Sequence, residues 1–180
     1  MNIIKFDPLY HRRPWGGTTI KDFFDRKIKF KSNNIGESWE IVDRREAQSL
    51  VVNGTYKGKT LRQLISEHCQ IIMGPNWPKN ARFPILVKWL DCTERLSLQV
   101  HPPEQVANDL GGEPKTENWY VARATENAGL FIGLKRNSTK QKFKSAINSE
   151  KAETLCHRVK SKGGDSILVE SGRIHAIDKG

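Results

Sequence analysis

The run Leu96-Ser97-Leu98-Gln99-Val100-His101-Pro102 constrains the fold more than any other stretch of this chain. Apolar and polar residues alternate along it, and a proline pair, Pro102-Pro103, ends it. Successive side chains of a β-strand point to opposite faces. Leu96, Leu98 and Val100 are therefore expected on one face, and Ser97, Gln99 and His101 on the other. The first face packs into the fold. The second presents a hydroxyl, an amide and an imidazole, which makes it a wall of a polar cavity and a candidate wall of a metal site.

Short runs of this kind recur. Gly36–Val42, Phe83–Asp91, Asn118–Ala122, Leu130–Ile132, Ile167–Val169 and Arg173–Ile177 read as strands. Trp15-Gly16-Gly17, Asn53-Gly54, Gly111-Gly112, Gly163-Gly164 and Ser171-Gly172 read as turns or breaks. Helical pattern is confined to short stretches. These are Thr18–Phe24, Thr60–His68 behind a Thr60 cap, a turn or two between Pro103 and Leu110, Ser138–Ser149 and Glu150–Val159. Lys27–Asn34 reads as a polar loop. Many short strands with helices as insertions predict a β-barrel or sandwich.

The chain has 180 residues, enough for one domain with a core, and 37% hydrophobic with 28% charged residues is a globular balance. The formal net charge of +10 admits nucleic acid, an anionic membrane surface or a phosphorylated small molecule as partner. The basic residues are scattered, however. The densest stretch, Lys135 to Lys162, interleaves Glu150 and Glu153 and reads as a solvated face. Nucleic acid is therefore not expected as a partner. Met1–Pro14 is charged and lacks a continuous apolar core, so no signal peptide is expected, and no apolar run approaches the roughly 20 residues of a membrane span. Cys69, Cys92 and Cys156 are odd in number and widely spaced, which predicts a reduced, cytoplasmic protein without disulfides.

Two further polar positions stand out. In Lys115-Thr116-Glu117, residues two apart face the same way in an extended chain. His175 follows a glycine turn. Gln99, His101, Glu117 and His175 could supply an N/O zinc site from three separate strands. By spacing alone, a structural histidine and an exposed carboxylate remain the ordinary readings of His101 and Glu117. His11, His68 and His157 read as surface residues.

The motifs in order resemble the N-terminal part of type I mannose-6-phosphate isomerases, a family of zinc-dependent cupins. Trp15-Gly16-Gly17 resembles its W-G-G, and Gly36-Glu37-Ser38-Trp39-Glu40 its G-E-S-W-E. Leu96–Pro102 resembles its L-S-x-Q-V-H-P, and Lys115-Thr116-Glu117 with Trp119-Tyr120 its K-T/P-E-x-W-Y. Gly164-Asp165 with Gly172–Ile177 resembles its G-D…G-x-x-H-A-I. The resemblance implies a mainly β, cupin-type barrel (jelly roll) over 1–180 as a single catalytic domain, with a helical insertion near 138–160. It implies one zinc ion on Gln99, His101, Glu117 and His175. Ser97 and Lys115 would contact a sugar phosphate, with lysine as a point charge for the phosphate. Trp15, Trp39 and Trp119 read as core or cavity-wall aromatics.

The implied reaction interconverts mannose 6-phosphate and fructose 6-phosphate by moving a proton between C1 and C2. The base for that transfer is left unassigned. Members of the family continue beyond the position of Gly180, completing the barrel and adding an active-site arginine, and they carry a proline where Glu170 stands. The expected fold thus lacks its C-terminal portion. A non-catalytic cupin that binds a sugar phosphate is the alternative reading.

Overall fold

Glycine and proline cut the apolar runs short, and the ten strands of the described residues span two to nine residues each. The computed structural model describes residues 3–28 and 34–180. Of the loop expected over 27–34, residues 29–33 lie outside the described residues. The chain falls into two compact units, Met1–Asp91 and Cys92–Gly180.

In the first unit, β1 (Phe6–Asp7) pairs with β4 (Leu50–Val51). A three-stranded antiparallel sheet has the order β2 (Leu9–Gly17), β3 (Ile35–Ile41), β5 (Val87–Leu90). Trp15-Gly16-Gly17, expected as a turn, belongs to β2. A bulge there sets Arg12 and Gly17 both opposite Ile35. Gly16 makes this approach possible, since a Cβ on it would lie 2.4 Å from the Gly36 nitrogen. The strand expected over 83–91 is limited to Val87–Leu90. Pro84 has no N–H for a ladder, and the Phe83 N–H is taken by the Asp43 carboxylate at 2.9 Å.

The short helix α1 (Thr19–Phe23) falls where expected. Helix α2 (Leu61–Met73) begins with a capping box. Thr60 accepts from the Gln63 N–H at 3.2 Å, and Gln63 accepts from the Thr60 N–H at 2.8 Å. His68, where the sequence pattern stops, is a kink with non-helical φ/ψ, and the helix continues past it. Leu61, Ile65 and Cys69 form a core with Phe6, Ile41, Ile72, Met73, Trp77 and Phe83.

In the second unit, α3 (Glu104–Ala107) precedes β6 (Glu117–Tyr120), which pairs with β9 (Ser166–Val169). A three-stranded antiparallel sheet has the order β10 (His175–Ile177), β7 (Gly129–Leu134), β8 (Cys156–Lys160). Helix α4 (Lys140–Asn148) is capped by Thr139, which accepts from the Lys142 N–H. The helix expected over Glu150–Val159 is absent. Glu150 takes a left-handed φ of 56°, which ends helical progress, and a 3-10 turn over Ala152–Leu155 leads into β8, paired along the edge of β7. Phe131, Cys156 and Ala176 form the core of this unit, with Leu98 and Ile174 packed on it.

The Leu96–Pro102 run is a correction in part. It is not a ladder strand but meets β10 at an isolated bridge, Gln99 opposite His175, with a further bond from the Leu96 N–H to the Ile177 carbonyl. Leu98 reaches the core as expected, whereas Val100 is 56% exposed. The fold is mainly β, and among the described residues no sheet closes on itself. Among the described residues no helix is long and apolar enough to cross a membrane, and Cys69, Cys92 and Cys156 form no disulfide.

Three buried carboxylates carry charge-assisted bonds. Asp43 accepts from Arg62, Gln48 and the Phe83 amide. Asp178 is clamped by Arg95 Nε at 2.9 Å and Arg158 Nε at 2.7 Å. Glu37 takes Arg13 Nε at 2.7 Å and Trp39 Nε1 at 2.8 Å. Burial opposes ionisation of each, but these bonds outweigh it and depress all three below their ordinary values of 3.8 for aspartate and 4.5 for glutamate. Groups depressed in the folded state contribute stability that is whole above those values and lost as pH falls through the depressed ones. The urea midpoint is therefore expected to be flat above about pH 5 and to fall steadily below about pH 4. A midpoint that is level down to pH 3 would contradict these bonds.

Candidate metal centre

Glu117 opens β6, and strand alternation puts Trp119 on its face. Their partners across β9 are Val169 and Ile167, and Val169 is fully buried, so this face points inward. Trp119 Nε1–H donates to Glu117 Oε2 at 2.8 Å. Lys115, two residues earlier, forms an ion pair with Oε1. Burial works against a charge on Glu117. Hydrogen bonding and charge from Lys115, with the Trp119 N–H, outweigh it and hold the carboxyl below the usual carboxylate range.

His175 opens β10 after a turn in which Gly172 adopts a φ of +83°, a region that glycine enters without cost. The Gly172 N–H donates to the His101 carbonyl at 2.6 Å, and His175 and Gln99 exchange backbone bonds at 2.8 Å each. These bonds bring the end of the Leu96–Pro102 run beside β10. The His175 residue is 3% exposed. Its Nδ1 lies 2.8 Å from the Arg173 carbonyl oxygen. A carbonyl can only accept, so Nδ1 carries the proton, and Nε2 of the neutral ring is left with a lone pair. Nε2 is buried, has no hydrogen-bond partner among the described residues and faces Glu117 Oε2 at 3.6 Å.

His101 completes the group. Its Nε2 lies 3.7 Å from Glu117 Oε1 and 3.5 Å from Lys115 Nζ, and its ring centroid is 5.3 Å from that of His175. One donor atom from each of His101, Glu117 and His175 falls within 4.8 Å of the others. His175 Nε2 and Glu117 Oε2 face each other at 3.6 Å without a hydrogen bond, a separation at which both can hold one cation through the neutral imidazole and the carboxylate. Two imidazoles and a carboxylate are a donor set that zinc takes. The residues present therefore fit a zinc ion.

The other expected site residues are placed as follows. Gln99 shares its bridge with His175, so its side chain leaves the strand on the same side. Its amide donates to Ser97 Oγ at 3.1 Å, and both side chains are exposed. Lys115 sits against Glu117 and His101. The Arg173 carbonyl, which sets the His175 tautomer, escaped the sequence reading, because a backbone group has no side-chain signature. Trp119, expected as a core or cavity-wall aromatic, also donates to the carboxylate, a bond that Glu-x-Trp spacing on a strand permits.

Residues 3–145 match the catalytic domain of phosphomannose isomerase type I. The chain belongs to the type I phosphomannose isomerase family. Mannose-6-phosphate isomerase ManA of Bacillus subtilis is 37% identical over 177 residues, which make up 97% of this chain and 54% of that protein. A crystal structure of the Bacillus subtilis mannose 6-phosphate isomerase matches with a TM-score of 0.86 at 40% identity, over 98% of this chain and 55% of that one. The mannose 6-phosphate isomerase of Salmonella typhimurium, solved with its substrate fructose 6-phosphate and zinc, shares the fold with a TM-score of 0.73 at 15% identity, over 98% of this chain and 66% of that one. The fold is the cupin-type fold of phosphomannose isomerases. The chain spans about half the length of the curated relatives it matches. His101 and Glu117 lie inside the stretch that matches the family's catalytic domain, and His175 lies beyond it.

Proposed function

We propose that this chain binds one zinc ion through His101, Glu117 and His175, with Gln99 as the fourth side chain at the site, and serves the interconversion of mannose 6-phosphate and fructose 6-phosphate. The observation that carries the reading is the buried His175 Nε2, which has no hydrogen-bond partner among the described residues and faces the Glu117 carboxylate. A zinc ion bound there supplies Lewis acidity to the sugar oxygens that gain negative charge as a proton passes between C1 and C2.

The chain's own residues have separate tasks. The Arg173 carbonyl fixes the proton of His175 on Nδ1, which directs Nε2 inward. Lys115, paired with Glu117 and partly exposed, supplies a positive charge suited to the phosphate of the sugar, and Ser97 offers a hydroxyl beside Gln99. Residues 1–180 are read as part of one catalytic domain. A sugar-phosphate substrate and three cysteines outside any disulfide fit the cytoplasm.

The test is fructose 6-phosphate formation from mannose 6-phosphate by the purified 180-residue chain, with and without zinc. Turnover that needs zinc and is abolished by a chelator is expected. Binding of mannose 6-phosphate without turnover would instead identify a non-catalytic sugar-phosphate binder, and neither binding nor turnover would contradict the proposal.

A further inference from the structure

We infer that Trp119 is a positioning residue of the metal centre, acting on Glu117 and His175 at once. The inference rests on the metal reading above and goes beyond it, to the group that sets the two ligands against each other. Glu117 belongs to β6 and His175 to β10, and these strands lie in different sheets, with no ladder bonds between them. Backbone pairing therefore does not fix the distance from the carboxylate to the imidazole. Trp119 reaches both groups. Its N–H fixes Glu117 Oε2, the oxygen that faces His175. Its ring meets the His175 imidazole edge-on, with centroids 5.4 Å apart and planes at 79°, the favoured aromatic arrangement.

The first unit supplies an internal control. Glu37-Ser38-Trp39 repeats the spacing of Glu117-Asn118-Trp119, and Trp39 Nε1 donates to Glu37 Oε2 at the same 2.8 Å. At Glu37 a side-chain cation takes each oxygen, Arg13 on Oε1 at 2.7 Å and Lys88 on Oε2 at 3.3 Å. At Glu117 Lys115 pairs with Oε1, and Oε2, the oxygen bonded by Trp119, faces the His175 imidazole instead of a cation. The same indole-to-carboxylate bond thus stabilises an ion-pair cluster in one unit and aims a ligand in the other.

The experiment compares zinc affinity, by competition with a chromogenic chelator, and the visible spectrum of the cobalt form. The unmodified chain, Trp119→Phe and Trp39→Phe are each measured. Loss of an outer-shell partner typically weakens metal binding by about 10–100-fold. Trp119→Phe is expected to fall in that range with a shifted cobalt band, while Trp39→Phe keeps the affinity and spectrum of the unmodified chain. Wild-type affinity and spectrum in Trp119→Phe would overturn the positioning role while leaving the metal reading intact. An unmodified chain that takes up no zinc would overturn both. If metal-free Trp119→Phe does not unfold cooperatively, benzothienylalanine at position 119 supplies the comparison, since it keeps the ring shape and replaces the N–H by sulfur. Unchanged affinity in that chain overturns the inference equally.

Discussion

His175→Ala is expected to abolish stoichiometric zinc binding, and His101→Ala to do the same. Both imidazoles present Nε2 toward Glu117, at 3.6 and 3.7 Å from its two oxygens, so each removal leaves a carboxylate with one imidazole. Four-ligand structural zinc sites are worth roughly 10–16 kcal/mol, so one ligand carries about 3 kcal/mol, or ~100-fold in affinity. Metal analysis after dialysis should drop from about one ion per chain to background in both variants. His157→Ala is the matched control, because His157 is exposed on β8 and outside the cluster. Equal zinc retention in His175→Ala and His157→Ala would show that the three-residue group is not the site.

Asp43→Ala carries the second large effect, on stability. The Asp43 side chain is 0% exposed, and its two oxygens accept from Gln48 Nε2 at 2.9 Å, Arg62 Nε at 3.2 Å, Arg62 Nη2 and the Phe83 N–H at 2.9 Å. Truncation removes the carboxylate partner of the Arg62 guanidinium, which keeps only the Ala81 and Asn80 carbonyls, and the acceptor of the Phe83 N–H. Losing one member of such a set costs about 3 kcal/mol. For a chain of this size the midpoint of thermal unfolding should fall by roughly 6–12 °C. A shift below about 2 °C would mean that water replaces Asp43 at those donors.

Local chemistry was legible in the sequence where it is decided locally. The Thr60 cap and the helix expected over Ser138–Ser149 were read from a few adjacent residues, and α2 and α4 start there. The strands expected over Asn118–Ala122 and Arg173–Ile177 exist, though they begin at Glu117 and His175. Long-range pairing was not legible. Cys156–Lys160 has a sequence compatible with a helix, and its pairing with β7 is what extends it. Trp15-Gly16-Gly17 looks like a turn until Gly36 crosses it.

The candidate site divides the same way. Strand alternation selected His101 and paired Lys115 with Glu117. His175 was grouped with them as a possible N/O site by residue type, and the family resemblance made that grouping specific. The tautomer of His175 depends on a backbone carbonyl, and the aim of Glu117 depends on an indole that links two sheets. Asp43 likewise meets partners 19 and 40 residues away, beyond any local pattern.

Zinc K-edge absorption spectroscopy on the chain loaded with one equivalent of zinc reads the ligand set itself. A nitrogen and oxygen shell at about 2.0–2.2 Å with imidazole outer scattering and no sulfur is expected. A sulfur shell at about 2.3 Å, which would put the ion on Cys69, Cys92 or Cys156, would contradict it, as would a spectrum unchanged in His101→Ala and His175→Ala.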